Sequence, residues 1–139
     1  AQFFLDENEW KDMLRASHAA LHQGGFLVFD IRRLTDPPFS TWPTKANPRH
    51  VEQTPLGEVE WWFNLLELDN GRVKYELHYS FAKSNEEVVS VNELAFRTQD
   101  EVSKDLSEAG FVVDNIYGDW DASPIHPESP EMVFIARIP

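Results

Sequence analysis

The residues best placed to do chemistry are Asp30 and Arg32, two positions apart in "FLVFDIRR", where an apolar run from Phe26 to Ile31 gives way to charge. An alternation of two puts both side chains on one face of a strand. A carboxylate beside a guanidinium at the carboxyl end of a strand stands where α/β sheets hold their ligands. The other role open to the pair is an ion pair tying the next loop to the sheet. A second group is aromatic: Trp42, then Trp61, Trp62, Tyr75 and Tyr79. Such rings line apolar pockets for small molecules, and they also serve ordinary burial. "GDWD", Gly118 to Asp121, sets two carboxylates around Trp120, as a binding element or as a solvated turn. The candidate substrate-binding residues are therefore Asp30, Arg32, Trp42, Trp61, Trp62, Tyr79 and Trp120; no catalytic residue is assigned.

Several chemistries are excluded. With no cysteine the chain has no disulfide, no thiolate zinc site and no thiol nucleophile. No G-x-S-x-G elbow exists for a serine nucleophile. His18 and His22 stand four apart, the spacing of a zinc pair, but without H-E-x-x-H or nearby cysteines, and no metal site is expected. A net charge of -12, from 24 acidic and 12 basic residues, opposes nucleic acid and anionic membranes as partners. No apolar run reaches the roughly 18 residues of a membrane span. The start "AQFFLDENEW" lacks the basic region of a signal peptide, so a cytoplasmic protein is the expectation.

The elements that must position these residues can be read from periodicity. At 139 residues and 42% hydrophobic, one domain can bury a core. Asp6 and Glu9 form a capping signature for a first helix, whose stripe of Trp10, Met13, Leu14 and Leu21 faces something apolar and which stops at Gly24 and Gly25. "FLVFDI" then reads as a parallel-sheet strand covered on both faces. "RRLTDPPFSTWPTKANPRH" is proline-rich and reads as a lid-like loop. From Val59 to Thr98 the period is two, with Asn70-Gly71 as a type I′ turn. Regular pairing outward from that turn sets Leu66 against Tyr75 and Trp62 against Tyr79. One face would then carry Trp62, Leu66, Leu68, Val73, Tyr75, Leu77, Tyr79 and Phe81. "VVSVNELAFR" is a further strand. Thr98 and Glu101 open a second helix that ends at Gly110, with Phe111 packing back on it. Two strands, "FVVDNIY" and an interior "EMVFIARI", close the chain.

Taken in this order, the segments resemble the small-molecule class I S-adenosylmethionine-dependent methyltransferases over nearly the whole chain. "LHQGGFLVFDIRR" resembles the helix, glycine turn and fifth strand of that family. "FRTQDEVSKDLSEAGFVVDNIYGDWD" is similar to the helix feeding the sixth strand, and "SPEMVFIARIP" to the seventh, which runs antiparallel between the fifth and sixth. "VEWWFNLLELDNGRVKYELHYSFA" resembles an antiparallel insertion covering the substrate side. The resemblance implies an α/β fold, the C-terminal half of a Rossmann-like methyltransferase sheet with an antiparallel β insertion, in a single partial domain over 1–139. Residues 1–33 would be helix and parallel strand, 34–98 proline-rich loop and substrate-covering insertion, and 99–139 helix and two final strands.

The same resemblance shows what is missing. The family holds its cofactor through a glycine-rich turn after the first strand and an acidic residue closing the second. This chain has no G-x-G, and "AQFF" resembles the segment that follows the fourth strand. S-adenosylmethionine is thus the cofactor implied for a complete protein, with no cofactor-binding residue expected in this chain, which alone is expected to be inactive. The implied partners are a small-molecule substrate and either a second copy or the missing N-terminal half. The alternative function is a non-catalytic α+β module binding a small ligand through its aromatic antiparallel sheet.

Overall fold

Asp6 opens the first helix, as its reach to free N–H groups predicts. In the computed structural model, which describes residues 1–34, 48–55 and 57–139, its carboxylate accepts the Asn8 and Glu9 N–H groups at 2.7 and 3.1 Å, and α1 spans Glu7–Ala20. The reciprocal box is complete at α2 (Gln99–Glu108), where Thr98 accepts the Glu101 N–H and Glu101 accepts the Thr98 N–H at 2.7 Å. Helix α1 stops earlier than its glycines suggest. Leu21 is its extended C-cap, and Gly24, at φ +76°, belongs to the turn beyond. Helix α2 ends as its sequence predicts: Gly110 has φ +96° and the Phe111 N–H reaches the Leu106 carbonyl at 3.0 Å.

The strands, in chain order, are β1 (Phe26–Arg32), β2 (His50–Thr54), β3 (Gly57–Asp69), β4 (Arg72–Phe81), β5 (Glu86–Ala95), β6 (Val112–Tyr117) and β7 (Glu131–Arg137). They form two sheets, β1-β7-β6 and β2-β3-β4-β5. In the first, β7 lies antiparallel between β1 and β6, the order the resemblance implies for the fifth, seventh and sixth strands. Strand β2 has no counterpart among the sequence expectations.

Strand alternation sends Leu27, Phe29 and Ile31 of β1 and Met132, Phe134 and Ala136 of β7 to one face, where Trp10 and Leu14 of α1 and Val102 and Leu106 of α2 join them in one core. Both helices therefore cover the same side. The opposite face holds Phe26, Val28 and Val112, each between 44% and 53% exposed. The expectation that β1 is covered on both faces is thus corrected, and its pairing among the described residues is antiparallel, to β7. Within the core, the Trp10 indole N–H donates to the buried Asp105 carboxylate at 2.9 Å, with the Lys11 ammonium 3.4 Å from that carboxylate.

The second sheet departs from regular pairing at one residue. Asn70 and Gly71 both have positive φ, as a type I′ turn requires, and Leu68 pairs with Val73 as expected. Between Leu65 and Glu67 the register shifts, so that Leu65 faces Tyr75, Trp62 faces His78 and Trp61 faces Tyr79. Leu66 is the extra residue of a β-bulge and is exposed. The expected pairs Leu66–Tyr75 and Trp62–Tyr79 are therefore replaced, and Trp61, Phe63 and Leu65 share a face with Tyr75, Leu77 and Tyr79.

Two stability outcomes follow. Asp105→Ala, which strands a buried indole N–H, is expected to cost about 1–3 kcal/mol in urea unfolding. Leu66→Lys is expected to stay within about 0.5 kcal/mol of the parent, whereas Leu65→Lys, which puts a charge against the Tyr75 core, costs about 1–3 kcal/mol. Regular pairing would reverse that order.

Candidate substrate-binding site

The bulge decides which aromatics meet. On the inner face of the second sheet, Val59, Trp61, Phe63, Leu77, Tyr79 and Phe81 line an open cup of about 630 Å³, with Glu52, Thr54 and Pro55 at its side. Trp61 is held there by its neighbours: it stacks on His50 at 4.1 Å between ring centroids and meets Phe63 edge-on at 5.6 Å. Tyr75 continues this face one step toward the turn and is buried with Val73 and Leu94. Burial raises its phenol pKa, and the nearby Arg32 guanidinium pulls the other way. Tyr75 therefore links the aromatic wall to the end of β1.

At that end the antiparallel register sets Arg32 opposite Glu131 and Asp30 opposite Val133. Cross-strand partners share a face, so Asp30, Arg32 and Glu131 lie together on the side away from the helices. Burial raises the Glu131 pKa, and the charge of Asp30 together with a hydrogen bond between the two carboxyl groups adds to the effect. Arg32 opposes this, and Asp119, from the turn after β6, contributes further negative potential. The arrangement can hold a cation or accept a proton at the end of β1.

The predicted residues divide accordingly. Asp30, Arg32, Trp61 and Tyr79 lie on the surfaces just described. Trp62 does not: it is on the outer face, stacked on His78 at 4.9 Å with the Arg49 guanidinium 4.1 Å over its ring. Trp120 is 60% exposed in a turn where Asp119 accepts the Trp120 N–H and Asp121 accepts the Ser123 N–H. Trp42 lies outside the described residues. Arg33, just past β1, donates to the His126 and Ser129 carbonyls at 2.7 and 3.2 Å and so ties the end of β1 to the segment between β6 and β7. Sequence reasoning missed Glu131, although a lone acid at the start of an apolar final strand antiparallel to β1 was the available signal. Among the described residues, no group of three or more metal-ligating side chains stands close enough to hold an ion, and no helix is long and apolar enough to cross a membrane.

The implied cofactor needs a glycine turn joining a strand to the following helix. Of the chain's six glycines, Gly24 and Gly25 precede β1, Gly57 opens β3, Gly71 makes the hairpin turn, Gly110 stops α2 and Gly118 follows β6. The connection from β5 to α2 contains none. The described residues do not fit the cofactor.

No family model matches the sequence, and no curated protein does. Solved structures do match the fold. A S-adenosylmethionine-dependent methyltransferase from Clostridium acetobutylicum superposes with a TM-score of 0.78 at 11% identity, covering 99% of this chain and 54% of that one. The sugar N-methyltransferase KedS8 from Streptoalloteichus matches at 0.66 and 20% identity, over 98% of this chain and 52% of that one. CalS10, an amino pentose methyltransferase from Micromonospora echinaspora with S-adenosylmethionine bound, matches at 0.65 and 17% identity, over 99% and 54%. The chain spans about half the length of these structures. With β7 antiparallel between β1 and β6 and the four-stranded insertion after β1, it has the fold of the C-terminal portion of a class I S-adenosylmethionine-dependent methyltransferase.

Proposed function

We propose that this chain is the acceptor-binding part of a methyltransferase that transfers the methyl group of S-adenosylmethionine to a small molecule, with the cofactor held by segments outside the 139 residues. The observation that carries the reading is the correspondence of nearly the whole chain with about half of each solved methyltransferase. When bound in the complete protein, the cofactor supplies the electrophilic methyl group. This chain contributes the acceptor's surroundings. Trp61 and Tyr79 offer an apolar wall, Arg32 a polar anchor, and Asp30 with Glu131 a negatively charged end.

That negative end suits an amine-bearing acceptor. Two of the matched proteins are described as methylating a sugar nitrogen and an amino pentose, and an ammonium or protonating amine is favoured beside two carboxyl groups of which one retains its proton above the ordinary range. The exposed Phe26, Val28 and Val112 face of the first sheet is assigned to contact with the remaining half, or with a second copy when this chain is alone, since contiguous exposed apolar surface marks an interface.

Calorimetric titration of S-adenosylhomocysteine into the purified chain tests the division of labour. No saturable heat is expected; micromolar binding would overturn the assignment of the cofactor to other segments. In the complete enzyme, Asp30→Asn is expected to raise KM for an amine acceptor about tenfold or more, the equivalent of losing one charge-assisted hydrogen bond. Because the Glu131 pKa is raised, the pair gains its second charge only as pH climbs past the ordinary carboxylate range, so KM falls with rising pH there and the dependence flattens in Glu131→Gln. Light scattering of the isolated chain is expected to show self-association that Val28→Asp reduces; a monodisperse parent monomer would count against the assigned interface.

A further inference from the structure

The outer face of the second sheet, behind the cup, carries an arrangement that acceptor binding does not use. His78 sits in the middle of β4 with its ring nitrogens bound by carboxylates from two strands: Nε2 lies 3.0 Å from Glu76 Oε2 on β4, and Nδ1 lies 3.1 Å from Glu87 Oε1 on β5. Asn64 of β3 also donates to that Glu76 oxygen, at 3.3 Å, and the same amide nitrogen lies 3.0 Å from His78 Nε2. The His78 side chain is only 13% exposed, with one ring face stacked on Trp62 of β3. Trp62 in turn takes the Arg49 guanidinium over its ring, and Arg49 is paired with Glu60 at 2.7 Å.

Carboxylates only accept hydrogen bonds, so satisfying both at once requires both ring nitrogens to donate. Only the imidazolium does so. A neutral ring that keeps its proton on Nδ1 holds Glu87 but turns the Nε2 lone pair to the Asn64 amide, 3.0 Å away, and gives up the bond to Glu76, whose Oε2 then lies against that lone pair at 3.0 Å. We propose that His78 is a proton-operated clasp: as the imidazolium it ties β5 to β4 and to the Trp62 stack through two carboxylates at once, and on losing its proton it gives up one of the two and loosens the outer edge of the sheet behind the cup. The charged groups facing it are Glu76 on β4, Glu87 on β5, and Glu60 with Arg49 across Trp62.

The register makes this matter for the cup. His78 is flanked in sequence by Leu77 and Tyr79, and Trp62 by Trp61 and Phe63, which are inner-face residues of the cup. Strand β5 is an edge strand, with Val88, Val89 and Val91 about half exposed. The clasp therefore supplements its ladder with a bond that depends on protonation. The hydrogen bonds to Glu76 and Glu87 raise the His78 pKa above its ordinary value. The contribution of a group so shifted is fully present below the ordinary histidine range and is lost as pH rises through the raised value.

The test is a pH titration of the chain by nuclear magnetic resonance, reading the His78 ring nitrogens and the hydrogen-exchange protection of β5 amides. Protection at Val89 and its neighbours is expected to fall through the same pH interval in which His78 titrates, about tenfold for each unit by which its midpoint lies above the ordinary value. Glu87→Gln, a change at a mostly exposed side chain, should move the His78 midpoint down while leaving the fold intact. His78→Gln should abolish the pH dependence of β5 protection. A midpoint unmoved by Glu87→Gln would overturn the clasp, and so would an unchanged pH profile in His78→Gln. Should His78→Gln fail to fold, the Glu87→Gln titration and the parent profile decide alone. Neither readout requires cofactor or acceptor, so the outcome is independent of the methyltransferase assignment.

Discussion

The antiparallel pairing of β7 with β1 is the constraint on which the rest of the arrangement depends. It buries Phe134 between strands and helices and stacks it on Phe29 with centroids 5.5 Å apart. It also brings the first acidic residue of the last strand beside Arg32, more than ninety positions earlier in the chain. The same alternation that sends Met132, Phe134 and Ala136 into the core sends Glu131 and Val133 to the other face. A core residue and a site residue are therefore neighbours along one strand, and packing in the first fixes the position of the second.

The two cores are joined by a short seam. The Gln2 carbonyl accepts the Ala95 N–H at 2.8 Å, the Phe4 carbonyl accepts from Arg97 at 2.9 Å, and the Leu5 carbonyl accepts from Arg72. Arg97 is itself buried, with its guanidinium 4.9 Å over the Trp10 ring. The turn and short segment just before α1 thus receive hydrogen bonds from the base of the second sheet and the residues that follow it, while the Trp10 ring belongs to the core of the first.

What could be read in advance depended on how redundantly each feature was encoded. Thr98, Glu101, Gly110 and Phe111 specify both ends of α2 through separate chemical requirements, and α2 forms as they dictate. The aromatic ribbon and its Asn70–Gly71 turn were equally legible. Its facing was not, because Leu65 and Leu66 are identical and either can occupy the inner position, so an alternating pattern cannot show which one is extra. The consequence is that Trp62, expected on the Tyr79 face, lies on the His78 face instead. Strand β2 was illegible for a different reason: "HVEQT" is an exposed edge with little apolar content, and only its partner β3 makes it a strand. Glu131 required the register of β7 against β1, which the implied strand order does not carry.

The bulge at Leu66 also divides the hairpin mechanically. Ladder pairs on the turn side of it, from Glu67–Lys74 to Asp69–Arg72, and those on the cup side, from Leu65–Tyr75 onward, are out of phase by one residue. A change of length near the hairpin tip can therefore be absorbed where a residue already stands outside the ladder, without rotating Trp61 and Phe63 away from Tyr79. The tip answers to one set of contacts, Arg72 on Leu5 and Gly71 on Phe96, and the wall to another, so each end of this hairpin keeps its own phase.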